Sequence, residues 1–281
     1  IVSHRFHQPA LLRYNVSGRL LELHEKRGRG PGELNSAPRL FVKGDTLVAL
    51  DGNRIIHFVR GFEHARTSAA KANVGRAVLL QDGRFVTTGG SVPRGHIRVI
   101  TPDALHTDLR VDGELPDGVM LHVSQGKGSQ IWITRSNGSR TWSFDIDSRR
   151  RTVLPIERRW LMPWTGTVTG EPLTAKPRPL VRELIVVSPE LLLSVTSVAD
   201  PDWMPMGAVS REIRFNPSVV DGNDLFDVVL EFFDSSTGAT LARGRHPSLL
   251  LPIRGAPDLL FGVRQTDLGH VVVDVWHVQL M

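Results

Sequence analysis

The chain has 281 residues, of which 41% are hydrophobic and 22% charged. That length and balance allow one or two domains with a sizeable core and exclude disorder by composition. Cysteine is absent, which excludes disulfides, thiol catalysis, iron–sulfur clusters and cysteine zinc sites. Lys+Arg 34 against Asp+Glu 29 gives a net charge of +5 and a pI near 10.2. Most of the cations are arginines, interleaved with acids. The one dense cluster is Arg149, Arg150 and Arg151 with Arg158 and Arg159, so a nucleic-acid partner, which needs a concentrated patch, is disfavoured.

No apolar run approaches the ~18–20 residues of a membrane span; the longest, such as Leu184 to Val187, are strand-sized. The sequence opens at Ile1 without a positive n-region and apolar h-region. The start therefore reads as processed or truncated, and targeting is not legible from it.

Short runs of Val, Ile, Leu, Thr and aromatics alternate with turn residues along the whole chain, and no sustained helical periodicity interrupts them. In chain order, a three-stranded fragment is expected over Ile1–Arg27. A four-stranded unit follows: Ala37–Lys43, Thr46–Leu50, Arg54–Arg60 and Phe62–Ser68. Further units are expected over Arg76–Asp112 and Met120–Pro155, one with extra material over 180–246, and a last three-stranded fragment over Ser248–Met281. A turn phrase recurs at 18, 61, 103 and 147, spaced by 43, 42 and 44 residues, and returns 91 residues later at 238. A period of ~40–50 residues with four strands per unit points to a β-propeller. An up-and-down barrel or a sandwich explains the regular spacing less well. The expectation is an all-β chain, a single β-propeller domain over 1–281 with six blades of four-stranded antiparallel sheet, five or seven being the alternatives. Stacked blades bury both faces of their strands, so Leu191–Val195 and Val271–Val278 are expected to be buried on both sides.

The most specific segment is Gly28-Arg29-Gly30-Pro31-Gly32-Glu33-Leu34, followed by Pro38 and by Gly44 to Asp51, and preceded by Leu12 to Leu20. It resembles the inter-blade phrase of the NHL-like six-bladed propellers of bacteria, closely over residues 10–62 and by spacing alone elsewhere. The resemblance implies the fold and an extracytoplasmic location, periplasmic, secreted or lipid-anchored; most such proteins have no assigned activity. From the residues themselves, three glycines around a proline make a sharp connector with positive-φ positions. A phosphate-cradling loop is disfavoured, because no P-loop pattern and no helix follow.

Eleven histidines form no metal motif; His4 and His7 fall on opposite faces of a strand. Asp145 and Asp147 share a strand face and could bind a cation, or serve as turn residues. Asp274, inside an apolar run, is expected to be a core acid satisfied by backbone donors, the alternative being a group facing the axis. Neither a serine nucleophile elbow nor a cofactor motif is present. The strongest functional lead is the excursion Ala199–Phe226, since loops beyond ~12–15 residues are commonly functional. Asp200, Asp202, Trp203, Met204 and Arg211 are its candidate binding residues; a cap over the rim is the alternative. A second proline-rich stretch, Pro163–Pro179 with Trp164, reads as a spacer. The expected function is an extracytoplasmic binding module for a protein, glycan or small ligand. The alternative is a metal-dependent hydrolase or lyase with its site at the propeller axis.

Overall fold

A computed structural model describes residues 2–4, 10–15, 17–59, 61–69, 74–103, 105–113, 115, 119–161, 176–203, 226–253, 258–265 and 271–280. Among these residues there is no helix; the chain is all-β, and its sheets are those of a β-propeller. It divides into two compact units, residues 1–111 and 112–281.

The first unit holds three antiparallel sheets. One has three strands, β1 (Val2–His4), β2 (Ala10–Tyr14) and β3 (Leu20–His24). The second has four: β4 (Arg39–Lys43), β5 (Thr46–Asp51), β6 (Arg54–Val59) and β7 (Glu63–Ala69). The third has β8 (Val74–Leu79), β9 (Phe85–Gly90), β10 (His96–Ile100) and β11 (His106–Arg110). The second unit holds β12 (Leu121–Gln125), β13 (Gln130–Arg135), β14 (Thr141–Asp145) and β15 (Arg151–Leu154). Next come β16 (Leu180–Ser188), β17 (Leu191–Ala199), β18 (Phe226–Asp234) and β19 (Thr240–His246). A three-stranded sheet of β20 (Leu251–Pro252), β21 (Leu259–Gln265) and β22 (Val271–His277) ends the chain. Each sheet is a meander in which sequence neighbours pair. Among the described residues, the gap left open between the turns at 147 and 238 holds one sheet, with three strands of nine residues each.

The middle strands bury both faces, as stacked sheets demand. In the first unit Val48, Leu50, Ile55, Ala77, Leu79, Phe85 and Ile100 form one cluster between the second and third sheets. Leu11, Leu34, Ala49, Ile56 and Phe58 form another against the first sheet. In the second unit Trp132 and Leu154 pack on Leu184, Leu192 and Phe233, while Leu193, Val195, Val228 and Phe232 pack on Leu250 and Leu260. Leu191–Val195 is buried on both faces as expected. The last strand is not: Val273 and Val275 of β22 are each 57% exposed. Asp274 is accordingly no core acid; its Oδ2 accepts from Arg264 Nε at 2.7 Å in an exposed cross-strand pair.

The recurrent turn phrase falls on the connection to the last strand of five sheets, and its polar residues are the reason it recurs. Asn15 Oδ1 accepts from Ser17 N, Ser17 Oγ and Arg19 N after β2. Asp145 accepts from Ser148 N, Ser148 Oγ and Ser129 Oγ after β14. Asp234 accepts from the amides and hydroxyls of Ser236 and Thr237 after β18. These bonds hold both carboxyls down to about 2. Asp145 ends β14 and caps the turn that contains Asp147, so the pair shares no strand face.

The glycine-rich connector is a closed turn. Gly28 N donates to Leu34 O, Leu34 N to Lys26 O, Gly30 N to Glu33 Oε2, and Arg54 Nη2 to the carbonyls of Gly28 and Glu33. Gly28 and Gly32 have φ of 147° and 73°; Gly30 does not have positive φ. Its lack of a side chain leaves room for the Glu33 carboxylate, which would lie 2.9 Å from a Cβ there.

Candidate functional site

In the β16–β19 sheet the chain enters at Leu180, turns between β17 and β18, and leaves at His246, all at one end. Corresponding turns in the other four-stranded sheets are short, residues 52–53, 91–95 and 136–140, against 200–225 here. The β17–β18 ladder is continuous from Leu191↔Asp234 to Ala199↔Phe226, so the excursion springs from a hairpin paired to its last residue.

Of the five predicted binding residues, three lie at this base. Asp200 is committed to the turn, its Oδ1 accepting from Asp202 N at 2.7 Å and its carbonyl from Trp203 N at 3.2 Å. Asp202 is exposed. Trp203 is half-buried, and its indole Nε1 is buried with no hydrogen-bond partner. Met204 and Arg211, with Met206 and Arg214, lie outside the described residues, as does most of Pro163–Pro179. Behind the base, Arg245 clamps the hairpin: its Nε donates to Asp227 Oδ2 and its Nη2 to Ala199 O.

Four residues further along β18 from Asp227 lies a cluster that motif reading missed. Glu231, fully buried on β18, faces Ser194 of β17 and Arg243 of β19. Its Oε2 accepts from Arg158 Nε at 3.0 Å; its Oε1 accepts from Trp160 Nε1 at 2.7 Å and Arg243 Nε at 3.0 Å. The Arg158 guanidinium stacks 4.9 Å over Phe233, and that of Arg243 lies 5.7 Å over Trp160. Burial pushes the Arg158 pKa down, and the Glu231 carboxylate works against that shift. The available signal was Glu231 itself, an acid interrupting the apolar run Val228–Phe233, as Asp274 interrupts β22. Arg158 registered only as a member of a basic cluster.

Other paired polar groups are structural locks. Asp51 Oδ atoms accept from Asn35 N, Ser36 N and Ser36 Oγ and pair with Arg54. Arg98 grips Asp108, and Arg135 grips Asp112, each through two bonds. No group of three or more His, Cys, Asp or Glu side chains able to hold a metal ion occurs among the described residues.

No family model and no curated protein matches the chain. Among solved structures, it is similar to U3-55K at 13% identity, with a TM-score of 0.51 over 95% of this chain and 71% of that one. A Bacteroides fragilis protein named as a candidate exported protein matches at 12% identity, with a TM-score of 0.53 over 91% and 74%. Virginiamycin B lyase of Staphylococcus aureus gives 10% identity and a TM-score of 0.46 over 99% and 84%. Identities this low speak for the fold, and the fold alone. No helix among the described residues is long and apolar enough to cross a membrane.

Proposed function

We propose that the chain is a single six-bladed propeller of the NHL-like type, 1–281, that works outside the cytoplasm as a binding module. It engages a protein, glycan or small ligand at the end of the β16–β19 sheet that carries residues 200–225. The observation that supports this reading is the asymmetry of equivalent turns. Three sheets close this connection in a few residues, whereas the fourth lengthens its strands to nine residues and extends the turn from a fully paired hairpin. Loops set on a rigid sheet are where binding residues concentrate. Asp202 and Trp203 at its base offer an exposed acid and a half-buried aromatic with an unused donor, a combination suited to an interface. Trp203, Met204 and Arg211 are the residues assigned to contact; Asp200 shapes the turn. The likeness to a candidate exported protein agrees with the location.

The test replaces 200–225 with Gly-Asn. Wild-type and shortened proteins are compared by melting temperature and by binding to a glycan array and to partners captured from an extracytoplasmic extract. Binding lost at an unchanged melting temperature supports the assignment. Unfolding makes the excursion a structural cap, and unchanged binding moves the site elsewhere.

A further inference from the structure

Arg158 is the least satisfied charged group among the described side chains. Its side chain is 3% exposed, and only its Nε has an acceptor. Both terminal nitrogens, Nη1 and Nη2, are buried without any hydrogen-bond partner. A guanidinium carries five N–H donors, and leaving four unmatched in a buried place is costly. The local charge does not balance either. Glu231 is the single acid bonded to the cluster, and it is shared between Arg158 and Arg243, so one positive charge remains.

The surroundings are polar where an apolar filling would be expected. Glu231, Ser194 and Thr196 are fully buried and share one face of their sheet. The facing sheet, whose Trp132 packs on Leu192 and Phe233, carries Thr134, Thr141 and Ser143 in register on the same side as Trp132, all buried. The Arg158 Nη1 end comes close to the turn at Gly138, standing 3.4 Å from where a Cβ there would be, and Leu161 fills the space beside it. At the outer side stand Trp160, half-buried, and Arg243, whose side chain is 45% exposed.

We propose that this cluster is an oxyanion-binding site. The paired Nη1 and Nη2 groups of Arg158 donate end-on to a carboxylate, phosphate or sulfate group, and Arg243 supplies a second positive charge at the rim. A guanidinium end presents two parallel donors that match two oxygens of such a group. Glu231 takes the side-on Nε and fixes the plane of the guanidinium, as Trp160 and Arg243 fix Glu231. The incoming group supplies the missing acceptors and the missing negative charge together. Neither terminal nitrogen reaches solvent, so binding moves Leu161 aside. This rests on the binding reading above and gives its ligand a chemistry: a molecule or polymer bearing an acidic group.

The test measures melting temperatures of the full chain in sodium acetate, phosphate and sulfate, each against sodium chloride at equal ionic strength. The same series is run on Arg158→Gln and on the double variant Arg158→Met/Glu231→Gln, which removes the buried charges as a pair and keeps the comparison if the single variant folds poorly. Excluded anions stabilise folded proteins generally, and the variants report that background. A saturable rise in the wild type, about 3 °C or more above the variants, is expected from binding linkage. Leu161→Ala should reach saturation at lower anion concentration, because its bound arrangement is more populated. The acetate and phosphate arms separate a carboxylate ligand from a phosphate one. Identical rises in wild type and variants overturn the proposal, as do crystals soaked in selenate that show only water at both Nη atoms. The protein shortened at 200–225 should keep the anion-dependent rise even if the excursion binds nothing, so the two readings fail separately.

Discussion

At Gly32, φ is 73° and a Cβ would stand 2.9 Å from His64 Cβ, on a residue anchored in β7. Two penalties coincide there: a left-handed backbone and a neighbour with no room to retreat. Gly32→Ala should lower unfolding free energy by about 1–3 kcal/mol in denaturant titrations. Gly30→Ala should cost about 1 kcal/mol, since the atoms it meets are the mobile end of Glu33 and the main loss is one hydrogen bond. Equal losses at the two positions would refute this account. The motif itself was legible, because glycine and proline act locally; which glycines need positive φ depends on closure through Glu33 and Arg54, which the heptapeptide does not reveal. His57 is a second local probe. Partial burial, Arg66 and Lys43 push its pKa from 6.5 down to about 4. Between those values the unfolded chain binds the proton and the folded one does not, so His57 favours unfolding progressively as pH falls from 6.5 to 4. His57→Gln should flatten the stability profile in that window and leave it unchanged above pH 7. Direct titration of the ring by NMR near 6.5 in the folded protein would remove the basis for this.

At the scale of strands, four of the five turns carry Asx or hydroxyl caps that join residues two to four apart, and such bonds leave a pattern along the chain; the fifth turns on Gly61. The buried cluster was not legible in sequence, because Arg158 and Glu231 are 73 residues apart and meet only when two sheets stack. Apolar composition also misled at β22: Val-rich runs look alike in sequence whether a second sheet covers them or not. The difference should be measurable. Leu193 is fully buried among Val195, Val228 and Phe232, so Leu193→Ala should destabilise by about 2–5 kcal/mol. Val273→Thr, on the exposed side of β22, should stay within about 0.5 kcal/mol of wild type. A loss above about 1.5 kcal/mol at Val273 would mean that its side is covered in solution.

Across the whole molecule, the arginine excess bears on which partners the chain can take. A pI near 10.2 suggests nucleic acid until the arginines are located. Arg54, Arg98 and Arg135 pair with Asp51, Asp108 and Asp112; Arg158 and Arg243 share Glu231; Arg245 holds Asp227; Arg264 pairs with Asp274. Each of these cations has an acid partner where it stands, with Glu231 alone serving two of them, so most of this charge is not free to release counterions from a polyanion backbone. Exposed cations outside these pairs, among them Arg19, Lys26, Arg29, Lys127, Arg140, Arg149 and Arg150, are spread over both units of the chain, and Arg149 with Arg150 is the densest exposed group among them. A protein making 6–10 phosphate contacts loses about 10³–10⁵ in affinity between 50 and 200 mM salt. This chain should show duplex DNA binding no tighter than the weak non-specific range, about 10⁻⁴ M. Its salt slope should stay below that of six phosphate contacts, and Arg149→Gln/Arg150→Gln should reduce it. Fluorescence anisotropy with a labelled duplex across 50–200 mM NaCl measures both quantities. Submicromolar binding at 150 mM, or a slope of six or more unaffected by the double substitution, would show that the paired arginines open toward a polyanion and that the binding surface is basic after all.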